Sequence, residues 1–354
     1  MLKNLVLAIL CFATYAVSAQ NGTVSPYSFF GLGDLQRTRT VDNQMMGGLG
    51  IYTDSIHIHL NNPASLGKLG LTTYTAAISH RELRLETFDE RQNSSVSTLE
   101  YLGVALPVRA QRAAIGFGLK PYSAKGYFLI NETTNPAGDL VTTEYNGDGG
   151  LNQAYLSFGF RLLPNLHLGA TANYFFGDLE STRLQETEDV IFATVDRRIS
   201  DIRGFDFNYG LTYTPRFGKH TLFTSVRVNT QANLTSKNEQ QIGSVVAATR
   251  REIEVFDVDL DADFLRNTDI KIPTTTSIGL GFGEDKHWFV GAEYSFQKYS
   301  EFVNTFLEQD NTEYEDASSY ALGGFFIPDF ASIDSFFNRI IYRAGVRLDN
   351  TGLI

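Results

Sequence analysis

From about residue 70 the chain is written in segments of roughly ten residues whose polarity alternates with period two. Such a period puts successive side chains on opposite faces of an extended strand, so it commits most of the chain to β-structure. In "HLGATANYFF", Leu168, Ala170, Ala172, Tyr174 and Phe176 share one face, and His167, Gly169, Thr171 and Asn173 share the other. "FDFNYGLTY" sets Phe205, Phe207, Tyr209, Leu211 and Tyr213 against Asp206, Asn208, Gly210 and Thr212. "WFVGAEYSFQ", "IYRAGVRL", "AYLSFGFRL", "AIGFGLK" and "TTTSIGLGF" keep the same phase. A water-soluble sandwich also alternates, so the period alone leaves the solvent of the apolar face open.

The connections narrow the choice. Short turns at 107–112, 163–167, 215–220 and 283–287 alternate with long polar stretches such as "DERQNSSVS", "NETTNPAGDLVTTEYNGDGG", the regions 178–203 and 236–269, and "FLEQDNTEYEDASS". Short turns at one end and long loops at the other are the layout of an outer-membrane β-barrel. Tyr and Phe near strand ends suit an interfacial girdle. The expected fold is therefore an all-β, transmembrane antiparallel barrel in the bacterial outer membrane, with membrane lipid as its first partner.

Targeting and charge agree. "MLKNLVLAILCFATYAVSAQ" carries Lys3, an apolar run and Val17-Ser18-Ala19, which predicts a signal peptide over residues 1–19 cleaved after Ala19. Cys11 sits within the apolar run and is the only cysteine of the chain, so neither disulfides nor thiolate chemistry is expected. A formal charge of −11 argues against a nucleic-acid partner. About eleven strands are counted between residues 71 and 349. Bacterial single-chain barrels have even counts, and "RLDNTGLI" reads as a strand entering an outer loop, so the closing strands are expected beyond Ile354.

The motifs "NNPASLGKL", "LGVALPV", "AAIGFGLKPY", "LSFGFRLLPNLHLGATANYFFG", "IPTTTSIGLGFGEDKHWFVGAEYSF" and "YRAGVRLDNTG" resemble the FadL-type outer-membrane transporters of hydrophobic compounds. The resemblance runs from about residue 44 onward, and Asn62-Pro63-Ala64 matches the Asn-Pro-Ala motif with which that family ends its N-terminal hatch. It implies a 14-stranded barrel, of which this chain would hold about eleven strands (69–354), and a hatch over residues 20–68 folded into the lumen. It also implies capture of an apolar ligand among the outer loops and its exit through a gap beside a kinked strand. Inward glycines, including Gly103, Gly116, Gly118, Gly159, Gly169, Gly279 and Gly281, would leave room for the hatch.

Arg161, Arg227, Arg343 and Arg347 point inward with Asp206 and Glu293. They could hold a ligand carboxylate or the hatch; the simpler reading is a structural ion-pair network in a wet lumen. His57 and His59 have the spacing of two ligands on one strand face, but no cluster completes a metal site. His167, His220 and His287 follow short turns and read as interfacial. "GLGFG" at 279–283 lies inside a strand with no helix after it, so it is no phosphate loop. No catalytic constellation and no cofactor motif is present, and the chain is not expected to be an enzyme.

Two functions follow. The first is transport of small hydrophobic molecules such as fatty acids. The second is an accessory barrel in an outer-membrane secretion or assembly complex. The acidic stretches "QETEDV" and "LEQDNTEYED" repel a fatty carboxylate, and Phe302, Phe306 and Leu307 supply only a small apolar patch.

Overall fold

The computed structural model describes residues 22–86, 91–307 and 312–353; the signal segment 1–19 lies outside the described residues. It contains eighteen strand segments in one antiparallel sheet. Two of them, Asp34–Leu35 and Arg216–Phe217, stand outside the wall traverses, and the registers merge the other sixteen, among the described residues, into eleven traverses of a wall. We number these β1 (Thr73–Glu86), β2 (Arg91–Arg109), β3 (Ala113–Ala124 and Tyr127–Thr134), β4 (Leu140–Leu163), β5 (Leu166–Thr187) and β6 (Phe192–Tyr213). There follow β7 (His220–Asn229 and Ala232–Val246), β8 (Arg251–Asp257, Asn267–Ile272 and Thr275–Glu284), β9 (Trp288–Gln297 and Val303–Asn304), β10 (Ala317–Phe326) and β11 (Tyr342–Asn350). Each pairs with the next in sequence, the up-and-down order of a barrel.

The wall is inside-out relative to a water-soluble protein. Outward Leu280 and Val290 are 58% and 55% exposed, whereas inward Glu293 is 5% and Asp206 2% exposed. Continuous exposed apolar surface of this kind needs a lipid partner. Among the described residues no helix is long and apolar enough to cross a membrane, so crossing falls to the strands.

Much of what the sequence suggested as long loops is strand. Residues 91–97 belong to β2, 140–150 to β4, 178–187 to β5, 192–203 to β6 and 236–246 to β7. There both faces are largely polar, so polarity no longer alternates, while the backbone ladder, which needs no particular side chain, continues. One small apolar cluster, Ala193, Val195 and Val245, ties this extension together.

Candidate functional site

The inward faces read in layers. Along β4 the order is Leu151, Gln153, Tyr155, Ser157, Gly159; along β5 it is Phe175, Asn173, Thr171, Gly169, His167; along β6 it is Ile202, Asp206, Asn208, Gly210, Thr212. Toward the long hairpins the lumen is apolar, then it is polar, and near the short turns it is glycine. Each layer meets a different part of residues 22–68.

The glycine layer seats Asn62-Pro63-Ala64. Pro63–Lys68 forms a 3₁₀ helix whose first five residues are buried, with the fixed φ of proline suited to its first position. A side chain at Gly159 or Gly169 would strike the Pro63 carbonyl, and one at Gly210 would crowd Asn62. Asn62, fully buried, donates from Nδ2 to the Gly50 carbonyl at 2.8 Å and to Thr212 Oγ1 at 3.3 Å, satisfying groups that burial would otherwise leave costly. The opposite wall repeats the device: Ile51 occupies the space left by Gly279, Gly281 and Gly291. Met46, Leu49, Ile51, Phe223, Phe289 and Phe325 close an apolar cluster there.

The inward charges are distributed over the polar layer. Arg227 pairs with Glu293, which also accepts the Gly50 N–H at 2.9 Å. Arg343 pairs with Asp42 of the N-terminal segment at 2.7 Å. Arg347 donates to Asp349 and Ser319, and Asp349 also meets Arg37. Asp206 accepts from Asn173 and from Asn229. Arg161 lies apart, paired in register with His167 near the short turn. So Arg227, Glu293 and Arg343 join wall to N-terminal segment directly, while Arg161 and Asp206 do not.

Three histidines correct their sequence reading. His57 and His59 are not on a strand: His57 bonds Asp54, with Asp42 at 3.7 Å, and His59 meets the Asn43 amide at 3.1 Å. Burial disfavours the Asp54 charge, but the bonds from the His57 ring and the backbone N–H groups outweigh it and hold the carboxyl well below its ordinary range. The bond to Asp54 raises His57 in return, and burial pushes His59 down to about 4. His167 is buried against Gly67 rather than interfacial, because its side chain has the lumen phase of β5. Among the described residues no group of three or more His, Cys, Asp or Glu could hold a metal.

A polar cavity of about 270 Å³ remains between wall and segment. Gln36 to Arg39 and Asn61 form one side; Lys120, Gln153, Asn173, Asn208, Arg227, Asn229, Glu293 and Arg347 form much of the other. Arg39 and Lys120 escaped the sequence reading. Lys120 follows Gly116 and Gly118 in the inward phase of β3 and was legible there; Arg39 lies in an irregular segment with no phase to read. Burial, with Arg347 nearby, pushes Arg39 down to about 9.

Above the cavity, Leu32, Leu151, Phe175, Leu179, Ile202, Leu234, Ile270, Phe302, Phe306 and Leu307 pack into one cluster. Strand β3 breaks at Lys125 and Gly126, and the N-terminal segment covers that break from within: Gly126 N–H donates to Ser28 Oγ at 3.1 Å, and Asp34–Leu35 pairs with Ala124 and Ser123.

An inside-out, up-and-down wall around a tightly seated N-terminal segment defines an outer-membrane β-barrel. By sequence, residues 1–354 match the BamG family, and the chain belongs to it. No curated protein matches the chain. Similar solved structures include the CymD monoaromatic hydrocarbon channel, with 14% identity, 91% of this chain and 85% of that one covered, and a TM-score of 0.52. The Pseudomonas putida toluene transporter TodX is also similar, with 14% identity, coverage of 91% and 86%, and a TM-score of 0.51. The TodX deltaS2S3 mutant channel gives 13%, 87% and 82%, and 0.50. At such identities the likeness is one of fold. The resemblance to FadL-type transporters therefore rests on structure, and the family by sequence is BamG.

Proposed function

We propose that the protein is an accessory barrel of an outer-membrane secretion or assembly complex, with residues 22–68 as a fixed luminal plug. The observation that carries this reading is the occupation of the lumen. The Asn-Pro-Ala turn is wedged against glycine backbone, the wall break is bridged from inside, and the space that remains is lined by charges and amides. A hydrophobic solute would have to cross that layer and leave its buried polar groups unpaired, at about 1–3 kcal/mol for each. Membership of the BamG family over the whole chain supports the same reading, since the chain shares only its fold with the hydrocarbon channels.

Carriage of a hydrophobic compound is the second reading, favoured by that fold and by the apolar cluster around Phe302 and Phe306. One experiment separates the two. The full-length protein is extracted gently from its own outer membrane and analysed by mass spectrometry for stoichiometric proteins and for bound apolar molecules. The accessory role expects a constant protein partner and no apolar solute. A solitary barrel that co-purifies with a hydrocarbon or fatty acid would overturn it in favour of transport.

A further inference from the structure

At the end of the wall that carries the short turns, one hairpin differs from its neighbours. The others turn within 110–112, 164–165, 214–219 and 285–287, but the connection from β10 to β11 runs from 327 to 341. Its Phe330, Ile333, Phe336 and Phe337 are each at least half exposed, Ile333 at 92%. The backbone beneath them is closed. Ile327 N–H donates to the His287 carbonyl at 2.7 Å, Asp329 N–H donates to the Asn338 carbonyl at 2.8 Å, and Phe337–Arg339 forms a 3₁₀ turn. A loop that folds on itself and turns its apolar side chains outward calls for an apolar partner.

The height at which the loop is held decides which partner. Trp288, Phe326 and Tyr342 are register partners in the lipid-facing phase of β9, β10 and β11, and the Phe282 ring of β8 lies beside Trp288 at 5.9 Å. They make a row of aromatic side chains along the rim of the wall, the place of an interfacial belt. The loop leaves the wall at Phe326 and rejoins it at Tyr342, so both of its ends start in that belt. Two contacts hold its middle close by. Tyr342 Oη donates to the Phe337 carbonyl at 3.4 Å, and Lys286 of the neighbouring turn lies over the Phe330 ring at 4.9 Å, a cation–π pair.

We infer that the 327–341 hairpin is an interfacial anchor resting on the periplasmic leaflet of the outer membrane, with Phe330, Ile333, Phe336 and Phe337 among the phospholipid headgroups and the adjoining acyl chains. Short turns face the periplasm in barrels of this kind, which sets the side. Lys286 and the exposed Arg339 supply cations for lipid phosphates at the same level. Asp329 and Asp334 keep the loop from sinking further, because a carboxylate in hydrocarbon would lose its water. A protein with an apolar groove is the competing occupant. The aromatic row at both ends of the loop favours lipid, since the loop then continues an interface that the wall already makes. The inference rests on the wall's lying in the membrane and is independent of the choice between accessory barrel and transporter.

The test uses the full chain folded into phosphatidylcholine–phosphatidylglycerol vesicles whose acyl chains are plain or brominated. Trp288, the only tryptophan of the chain, is the internal reference for the height of the belt. Phe337→Trp and Ile333→Trp are each made in a Trp288→Phe background, and the heat-modifiable gel shift shows that the barrels fold. Both introduced indoles should lose emission to brominated lipid as strongly as Trp288 does in the wild type, and aqueous iodide should quench them no more than it quenches Trp288. An indole at either position that iodide quenches and brominated lipid does not would overturn the inference, even with Trp288 in contact with lipid. If Trp288 itself escapes the brominated lipid, the membrane assignment of the wall fails and the anchor fails with it. A second measurement separates lipid from protein. Extracted gently from its own membrane, the Phe336→Ser, Phe337→Ser variant should keep every stoichiometric protein of its parent; loss of one would assign the loop to that protein and overturn the lipid reading.

Discussion

Replacing Gly169 with Val tests whether the Asn-Pro-Ala turn is held by the wall. A Cβ at 169 would fall on the Pro63 carbonyl carbon and the Ala64 nitrogen, and these are backbone atoms of a proline-constrained turn that cannot swing aside. The wall cannot yield either, because β5 is laddered to β4 and β6 along this stretch. The turn must therefore lift. Overpacking of this kind costs about 1–3 kcal/mol, and loss of the Asn62 bond to Gly50 adds about 0.5–1.5 kcal/mol. A sum near 3 kcal/mol raises the ratio of lifted to seated turn about a hundredfold. Ser65, 2% exposed, reports on it: in a Cys11→Ala, Ser65→Cys background, thiol-labelling rate should rise by about that factor on adding Gly169→Val. Ala170→Val, on the lipid face of the same strand, should leave labelling unchanged. A folded Gly169→Val barrel that labels no faster than its parent would refute the wedge.

The other expectations are simpler. Arg227→Met leaves Glu293 buried without its cation and should cost about 3–5 kcal/mol in a urea titration in lipid vesicles; Arg227→Met with Glu293→Leu should recover part of it, and a double variant no better than the single would contradict that account. The Asp54–His57 bond gives a pH window. Asp54 is depressed in the folded protein, so its contribution is present above its unfolded range and lost as pH falls through the folded value, whereas His57 is raised, so its contribution is full below pH 6.5 and fades as pH rises above it. Protection of residues 41–59 from protease should thus be greatest in mildly acid solution, and Asp54→Asn should flatten the profile. Leu280→Arg, harmless if that face met water, should cost about 2–4 kcal/mol if it lies near the membrane midplane; a neutral result in vesicles would remove the lipid assignment.

The sequence by itself determined the phase of the membrane-facing strands and a count of about eleven traverses, but not how far the strands extend beyond the membrane. Lipid outside and a polar lumen inside force the membrane-facing part of each strand to alternate, so Ala170 and Thr171, or Leu280 and Gly281, declare their faces without any tertiary knowledge. It also marked the Asn-Pro-Ala turn and the inward glycines, because a proline and a missing Cβ are local properties. Tertiary structure alone decided what those glycines accommodate and which charges meet. Arg227 lies 66 residues from Glu293, and Asp42 lies 301 from Arg343; no local pattern encodes pairs brought together by the pairing of distant strands and the seating of the N-terminal segment. The segment 22–68 has neither of the periods that make a strand or helix legible, since its shape is imposed by the cavity it fills. For the same reason Arg39 and the polar chamber it shares with Lys120 became visible only in the folded chain.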